Sequence, residues 1–553
     1  MGKILGASIG SCVHVAGIMN FLNIAQRCGF KTKFSGSAVD IARLKSEIEK
    51  YDPEIIAVSY RLSPESAAEL FNDLNNFIIK NFKHKAFILG TTKSVAAALE
   101  KAGILKIFDR VYTGGEPAQD VEDYLTGNLM GKKLKLSGSK TPPQALTERI
   151  RFKKPWPILR HHFGRPTLEE TIKGIKKIAK SGLIDVISIG PDQNAQECFF
   201  RPDKINHLQD GAGGVPVRSA EDFKKLYAAS RCGNYPLMRC YSGTNDILKF
   251  AEMLVKTINN AWCAVPLCWY NEIDARSERK LEVAIKENQQ VMKWHAQKGI
   301  PVEVNESHQW SLRYATDAIA VATAYLAAYN AKKMGVKTYV SQYMFNTPCE
   351  TSFKMDLAKM LAKIELIESL HDDNFYSIRE SRTGLFSMPA NFNKGKGQLG
   401  SSTLLQMQVE PSIVHVVAYC ESSYAAKPDD IIQSSEIVLK AIENSLNGCP
   451  DMKADRAVKD RKKALMDDAM LIIKKIKSID VKNQFEDPLT EPRIIGTAVR
   501  LGILDAPQLT GAGGACGKLK TAFINGANMP VDDCGRAVTE EERLSTFEVK
   551  PCT

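Results

Sequence analysis

From about residue 163 the chain alternates between amphipathic helical patterns and short apolar runs, and this alternation limits the possible folds more than any other feature. Helical patterns at 168–179, 220–229, 246–258, 277–298, 316–333 and 355–370 are separated by strand-like runs at 183–190, 235–240, 264–269, 300–305 and 337–342. Steady strand–helix repetition over this length predicts a (β/α)8 TIM barrel. In a barrel of this kind, polar residues just past the strands' carboxyl ends face the active site. Here they form a coherent set: Pro191-Asp192-Gln193-Asn194, Arg239-Cys240-Tyr241-Ser242-Gly243-Thr244, Trp269-Tyr270-Asn271-Glu272, Glu306-Ser307-His308-Gln309-Trp310 and Tyr343-Met344-Phe345-Asn346-Thr347-Pro348. Any one of these can be a loop cap; together they can enclose a small polar molecule.

A second α/β unit precedes the barrel. An apolar run at 4–9 leads into Gly10-Ser11-Cys12-Val13-His14-Val15-Ala16-Gly17 and then a helical pattern. That order places the His14 imidazole at a strand's carboxyl end, where open α/β sheets bind ligands. Further buried runs end in Ser59, in Gly90-Thr91 and in Gly114-Gly115. Such alternation predicts a doubly wound, flavodoxin-like sheet with one edge open to close backbone approach. No Gly-x-Gly-x-x-Gly loop is present, which lowers a dinucleotide reading.

These residues carry a family resemblance. The segment Cys12-x-His14-x-x-Gly17, then Ser59-x-Arg61, then Gly90-Thr91, resembles the cobalamin (B12)-binding domain of base-off/His-on corrinoid enzymes. Their pattern is Asp-x-His-x-x-Gly, Ser-x-Leu and Gly-Gly. The resemblance implies that His14 is the lower axial ligand of cobalt, that Ser59 and the Gly90 turn line the slot for the nucleotide tail, and that Gly114 and Gly115 lie at its far end. Cys12 stands where the family has Asp, and a thiol is a weak hydrogen-bond partner, so ligation by His14 is weaker or differently tuned. Arg61 for Leu and Thr91 for Gly crowd or polarise the slot.

Composition agrees with a non-membrane enzyme. The formal charge of +11 is spread over Lys-rich helix faces, with no basic block interleaved with aromatics, so nucleic acid is not an expected partner; a weak positive field favours anionic substrates. Thirteen cysteines lie scattered without paired metal spacing, which predicts reduced thiols and a cytoplasmic location. The start lacks the apolar region of a secretory signal, and no uncharged stretch is long enough to span a bilayer. The expected domains are a cobalamin-binding domain at 1–128, a Lys/Ser/Gly/Pro linker at 129–150, a barrel at 151–480 and a cap region at 481–553.

The body, in stretches 239–251, 307–310, 340–370 and 494–530, resembles the catalytic subunit of the coenzyme B12-dependent glutamate mutase (methylaspartate mutase) family. The resemblance implies adenosylcobalamin (methylcobalamin being the alternative) held against the barrel mouth, a radical carbon-skeleton rearrangement and, by analogy, a homodimer. Arg239 falls where a substrate-binding arginine is expected, with a strand-end salt bridge as the plain alternative. The places of the other arginines hold His162 and Asn194 or Gln196, and the family's Lys and Glu near the adenosyl ribose fall at Gln342 and Asn346. Glutamate is therefore not the expected substrate; a small anion with at most one strongly bound carboxylate is. His162 and His308 can assist proton transfer, bond substrate or be structural. Glu272 is a candidate base or a solvated loop residue, and Tyr270 and Trp269 pack on the reacting centre or in the core.

Two other functions stay open: a corrinoid-dependent methyltransferase and a non-catalytic corrinoid-binding protein. The Gly-rich segment 511–517 has no flanking helix pattern and so is no phosphate loop; a cap on the barrel or a second subunit is expected.

Overall fold

Two buried hydrophobic runs start the first sheet: β1 (Lys3–Ser8) and β3 (Ile55–Ser59) pair in parallel, Ser8 opposite Ser59. With β2 (Lys31–Phe34), β4 (Ala86–Gly90) and β5 (Arg110–Tyr112) they form a five-stranded sheet of order β2-β1-β3-β4-β5. This is the flavodoxin-like order, whose strand direction of growth reverses between β1 and β3 and opens a crevice at their carboxyl ends. Helices cover both faces. The helix Ala16–Arg27 buries Ile18, Phe21, Leu22 and Ala25, one stripe at helical spacing. Asp40 and Ser63 cap the helices Ile41–Tyr51 and Pro64–Leu74 with their side-chain oxygens.

The computed structural model describes residues 2–127 and 141–547. The chain divides into two units, Met1–Lys140 and Thr141–Thr553. The stretch expected as a linker lies outside the described residues up to 140; residues 146–150 begin the helix Leu146–Lys153.

The second unit is an eight-stranded parallel barrel: β6 (Ile158–Phe163), β7 (Val186–Ile189), β8 (Leu237–Cys240), β9 (Cys263–Val265), β10 (Val302–Val304), β11 (Thr338–Phe345), β12 (Tyr376–Thr383) and β13 (Ile413–His415). β6 to β8 and β9 to β13 pair in chain order, and β13 returns to β6 with Ile413 opposite Ile158. Between β8 and β9 the ring closes through two backbone bonds, Ala261 N–H to the Met238 carbonyl (2.9 Å) and Ser242 N–H to the Ala264 carbonyl (3.1 Å). Fold class thus follows the sequence expectation: a flavodoxin-like domain and a TIM barrel.

Side chains alternate along each strand, so every second residue faces the barrel interior. The interior is layered accordingly. The floor is apolar: Ile158, Val186, Leu237, Trp262, Val340, Ile378 and Ile413 pack with Leu146 and Ile150 of the helix Leu146–Lys153. Two residues further along the strands the layer turns polar, with Arg160, Ser188, Arg239, Glu303, Gln342, Glu380 and His415. Two residues beyond that stand His162, Tyr241, Asn305, Met344 and Arg382, which line a cavity.

The carboxyl-terminal region carries helices and a hairpin of β14 (Thr521–Ile524) and β15 (Ala527–Pro530). The hairpin is fastened to the barrel by Asn528, whose Nδ2 donates to the Tyr314 and Ala315 carbonyls. The Gly-rich turn is held from within: the buried Asp505 carboxylate accepts from Gly517, Lys518 and Leu519 N–H. Among the described residues no helix is long and apolar enough to cross a membrane.

Candidate functional site

The first site lies at the carboxyl edge of the five-stranded sheet. A cavity of about 310 Å³ is lined by Gly17, Ser59, Arg61, Gly90, Thr91, Gly114 and Gly115, together with apolar residues of the first helix and of β3 and β4. The sheet explains the convergence, because Ser59 lies opposite Gly90 and both end their strands. Small residues keep the walls apart. A Cβ added at Gly17, Gly114 or Gly115 meets nothing within 4 Å, and Gly114 and Gly115 hold positive φ angles of 89° and 103°, which favour glycine. Thr91 is not a crowding residue: its hydroxyl is turned to the Tyr60 carbonyl at 2.7 Å.

His14 is exposed on the loop after β1, above buried Cys12. The Cys12 sulfur sits 3.7 Å from His14 Nδ1 and accepts the Arg61 N–H at 3.3 Å. One ring nitrogen of His14 thus faces the thiol, which leaves Nε2 available as a ligand. The residues fit a corrinoid whose tail occupies a narrow slot and whose metal takes one imidazole. They would supply that group with shape and one imidazole nitrogen.

The second site is the barrel cavity of about 390 Å³, lined by Arg160, His162, Gln196, Tyr241, Tyr270, Arg276, Asn305, His308, Gln309, Gln342, Arg382 and apolar Leu312, Met344, Leu385 and Phe386. Of the residues singled out from the sequence, His162, His308, Tyr270, Gln196 and Gln342 meet here. Burial, then the neighbouring arginines, hold the imidazoles of His162 and His308 well below their ordinary pKa, so both are neutral. Arg160 donates to His162 Nε2 at 2.9 Å, and the Tyr241 hydroxyl lies 2.7 Å from the same atom. Since guanidinium only donates, the His162 proton is assigned to Nδ1. Burial pushes the Tyr270 hydroxyl up to about 12, which keeps it protonated.

Four expectations are corrected. Arg239 lies one layer below the cavity, fully buried: it pairs with Glu303 at 3.2 Å, donates to Ser188 Oγ at 3.2 Å and stacks on Trp262 at 4.9 Å. It is a barrel-interior ion-pair member, and Tyr241, two residues on, takes the position facing the cavity. Glu272 is no cavity base. It accepts from the Leu281 N–H at 3.0 Å, at the start of the helix Leu281–Gln297, and pairs with Lys280 at 2.7 Å. Burial opposes its charge, but these bonds outweigh it and keep the acid below its ordinary value. Asn346 stands outside the cavity lining in a buried network, its side-chain oxygen accepting from Ser402 at 2.6 Å and its N–H bound to Asp356 at 2.5 Å. Asn194 likewise serves the loop, donating to the Asn206 carbonyl and Asp210. Trp269 is a core residue, fully buried against Trp310 and Arg313.

Sequence reasoning missed the cavity's arginines. Arg160 forms its floor and is spoken for by Glu380 and Glu303. Arg276 stands over the Tyr270 ring at 4.6 Å and 3.7 Å from Asp274. Arg382 is different. Among the described residues its one hydrogen bond runs from Nε to the Thr383 carbonyl at 3.3 Å, and it has no carboxylate partner. The inward alternation Ile378, Glu380, Arg382 was the signal that could have found it.

No family model matches the chain, and no curated protein matches it. Among solved structures it is similar to a novel cobalamin-binding protein from Desulfitobacterium hafniense DCB-2, at 21% identity over 22% of this chain, with a TM-score of 0.18. The chain spans 56% of that protein's length. It is also similar to the cobalamin-dependent S-adenosylmethionine radical enzyme OxsB, at 11% identity over 89% of this chain and 70% of that one, TM-score 0.17. The form of OxsB with aqua-cobalamin and S-adenosylmethionine bound gives 11% identity over 90% and 70%, TM-score 0.16.

Proposed function

We propose that this protein is a cobalamin-dependent enzyme, a radical carbon-skeleton isomerase acting on a small anionic substrate. The observation that carries the reading is the first site: Gly17, Ser59, Arg61, Gly90, Thr91, Gly114 and Gly115, far apart in sequence, line one slot at a topological switch point beside an exposed His14. When bound, the corrinoid supplies a cobalt–carbon bond that can be broken to begin the reaction. His14 would hold the metal through its imidazole, and Cys12 would restrain that ring through a weak sulfur contact.

The barrel cavity does the rest of the work. Arg382 and Arg276 bind the anion, and neutral His162 and His308 orient it by hydrogen bonding. Tyr270, Leu312, Met344, Leu385 and Phe386 keep bulk water from the reacting atoms. Neutral imidazoles and a protonated Tyr270 suit a reaction that moves hydrogen atoms rather than protons.

Reconstitution tests the reading. Protein mixed with aquo-, methyl- or adenosylcobalamin and passed through a desalting column should emerge coloured. In the Co(II) form its electron paramagnetic resonance should show nitrogen splitting that His14→Ala abolishes. Protein that retains no corrinoid refutes the proposal, and an unchanged nitrogen splitting in His14→Ala refutes the ligand assignment. Turnover of the methyl form alone, with methyl transferred to an acceptor, would make the enzyme a methyltransferase.

A further inference from the structure

Arg382 is the arginine of the barrel cavity that forms no direct ion pair, although Glu421 and Glu380 lie near enough to favour its charge. Beneath the cavity, Arg160 and Arg239 are matched by Glu303 and Glu380. At its rim, Arg276 shares Asp274 with Arg313, and Asp274 also accepts the Tyr270 and Asn271 N–H groups. Arg382 alone is in no direct ion pair among the described residues. Among the described residues no Asp or Glu lines the cavity, so no carboxylate there is placed to contact a bound cation. His162 and His308 are neutral and add no charge.

A second observation concerns Gln342. Its Nε2 donates to Glu303 Oε1 at 2.8 Å. A carboxylate can only accept, which fixes the amide's orientation and leaves Oε1 as the other pole. That oxygen is buried without a hydrogen-bond partner, on a residue that lines the cavity. A buried acceptor left unpaired is costly, and a small turn of this half-buried side chain would bring it to a donor bound in the cavity.

Resting on the reading of this cavity as the substrate site, we infer that it takes a small carboxylate carrying a neutral hydrogen-bond donor, a hydroxyl or an amide N–H, and no ammonium group. The carboxylate is held by Arg382 and the donor by Gln342. An amino acid is disfavoured because its ammonium would enter a cavity lined by arginines and no acid, with desolvation unpaid by any carboxylate in contact with it.

Titration calorimetry on the full chain without corrinoid tests this, so a failure of corrinoid binding leaves the result standing and the two readings fail separately. The probes are butyrate and its 2-, 3- and 4-hydroxy and 2-, 3- and 4-amino derivatives. At one or more positions the hydroxy acid should bind about tenfold or more tighter than the amino acid and also tighter than butyrate. Arg382→Gln should abolish binding while Arg382→Lys retains part of it, and Gln342→Leu should bind the hydroxy acid no better than butyrate. Unfolding midpoints by tryptophan fluorescence identify any variant that fails to fold, in which case the probe series on the parent decides. Amino acids that bind as tightly as the hydroxy acids, Arg382→Gln that binds like the parent, or no binding of any probe at millimolar concentration would each overturn the inference.

Discussion

Replacing Arg239 by alanine separates the two roles that its strand position suggests. In the structure its guanidinium is fully buried, 3.2 Å from the Glu303 carboxylate, 3.2 Å from Ser188 Oγ and 4.9 Å from the centre of the Trp262 ring. Removing one member of a buried ion pair costs about 3–5 kcal/mol, because the other charge stays buried. Here Glu303 keeps Trp262 Nε1 at 2.7 Å, Gln342 Nε2 at 2.8 Å and Arg160 at 3.6 Å. Loss of Arg239 also relieves repulsion from Arg160. The expected cost is therefore at the low end, about 3 kcal/mol. All five tryptophans lie in the barrel unit, so fluorescence during urea unfolding reports on that unit. Its midpoint should fall, while affinity for the carboxylate probes stays within about twofold of the parent once folded protein is compared. Arg239→Met with Glu303→Gln should recover part of the loss, since no lone charge is then buried. A variant with unchanged stability and at least tenfold weaker anion binding would refute this placement of Arg239 and restore it as a substrate contact.

Three further outcomes follow from the geometry. Gly17→Phe should fold like the parent, because a Cβ there meets nothing within 4 Å, yet fill the slot and lose corrinoid; colour retained after desalting would contradict the slot assignment. Glu272→Ala should cost about 1 kcal/mol through the lost helix-start contact and leave anion affinity unchanged; tenfold weaker binding would return it to the site. Acid should destabilise the barrel through His295, whose imidazole burial lowers to about 4. Its folded value lies below its unfolded one, so the unfolded chain takes the proton first. The stability it contributes is complete above about pH 6.5 and falls as pH drops toward 4, by about 2 kcal/mol at pH 5. The tryptophan midpoint should fall over that window less steeply in His295→Phe than in the parent, and equal slopes would refute the assignment.

The legible parts of this chain are those where burial is apolar. β1, β3 and β4 and the helices at 220–229 and 317–333 stand where hydrophobic periodicity puts them, and the Ser59 and Gly90 turns converge as their spacing implied. The barrel strands β6, β12 and β13 were not assigned from sequence, for a physical reason: their inward positions hold Arg160 and His162, Glu380 and Arg382, and His415. A strand whose buried face is charged lacks the alternation that marks a strand. The same feature hid the site. Arg239 was read at a strand end, but β8 runs Leu237–Cys240, so its third residue is still inside the sheet and the cavity begins at Tyr241. Arg276, in an irregular loop, carries no periodic signal at all.

The layering also predicts how sequence change divides between stability and specificity. The middle layer carries Arg160, Arg239, Glu303 and Glu380, two charges of each sign, bonded to one another and to Trp262, Ser188 and Gln342. Burial pushes the Glu380 carboxyl up to about 7 against the pull of Arg160, and any single change in the layer leaves a partner buried at its own desolvation cost. The upper layer is the reverse: among the described residues the Arg382 guanidinium is hydrogen-bonded only to the Thr383 carbonyl, and Glu421 and Glu380 act on its charge without a direct ion pair, which leaves it donors for a ligand. Substitution of Arg239, which does not line the cavity, should therefore move the unfolding midpoint and leave affinity alone, while Arg382 should move affinity with a small effect on stability. Gln342 bridges the two, bonded to Glu303 below and lining the cavity above, as Arg160 does through Glu303, Glu380 and His162; a double-mutant cycle of Gln342 with Arg382 should show coupling in ligand binding and a cycle with Glu303 coupling in unfolding.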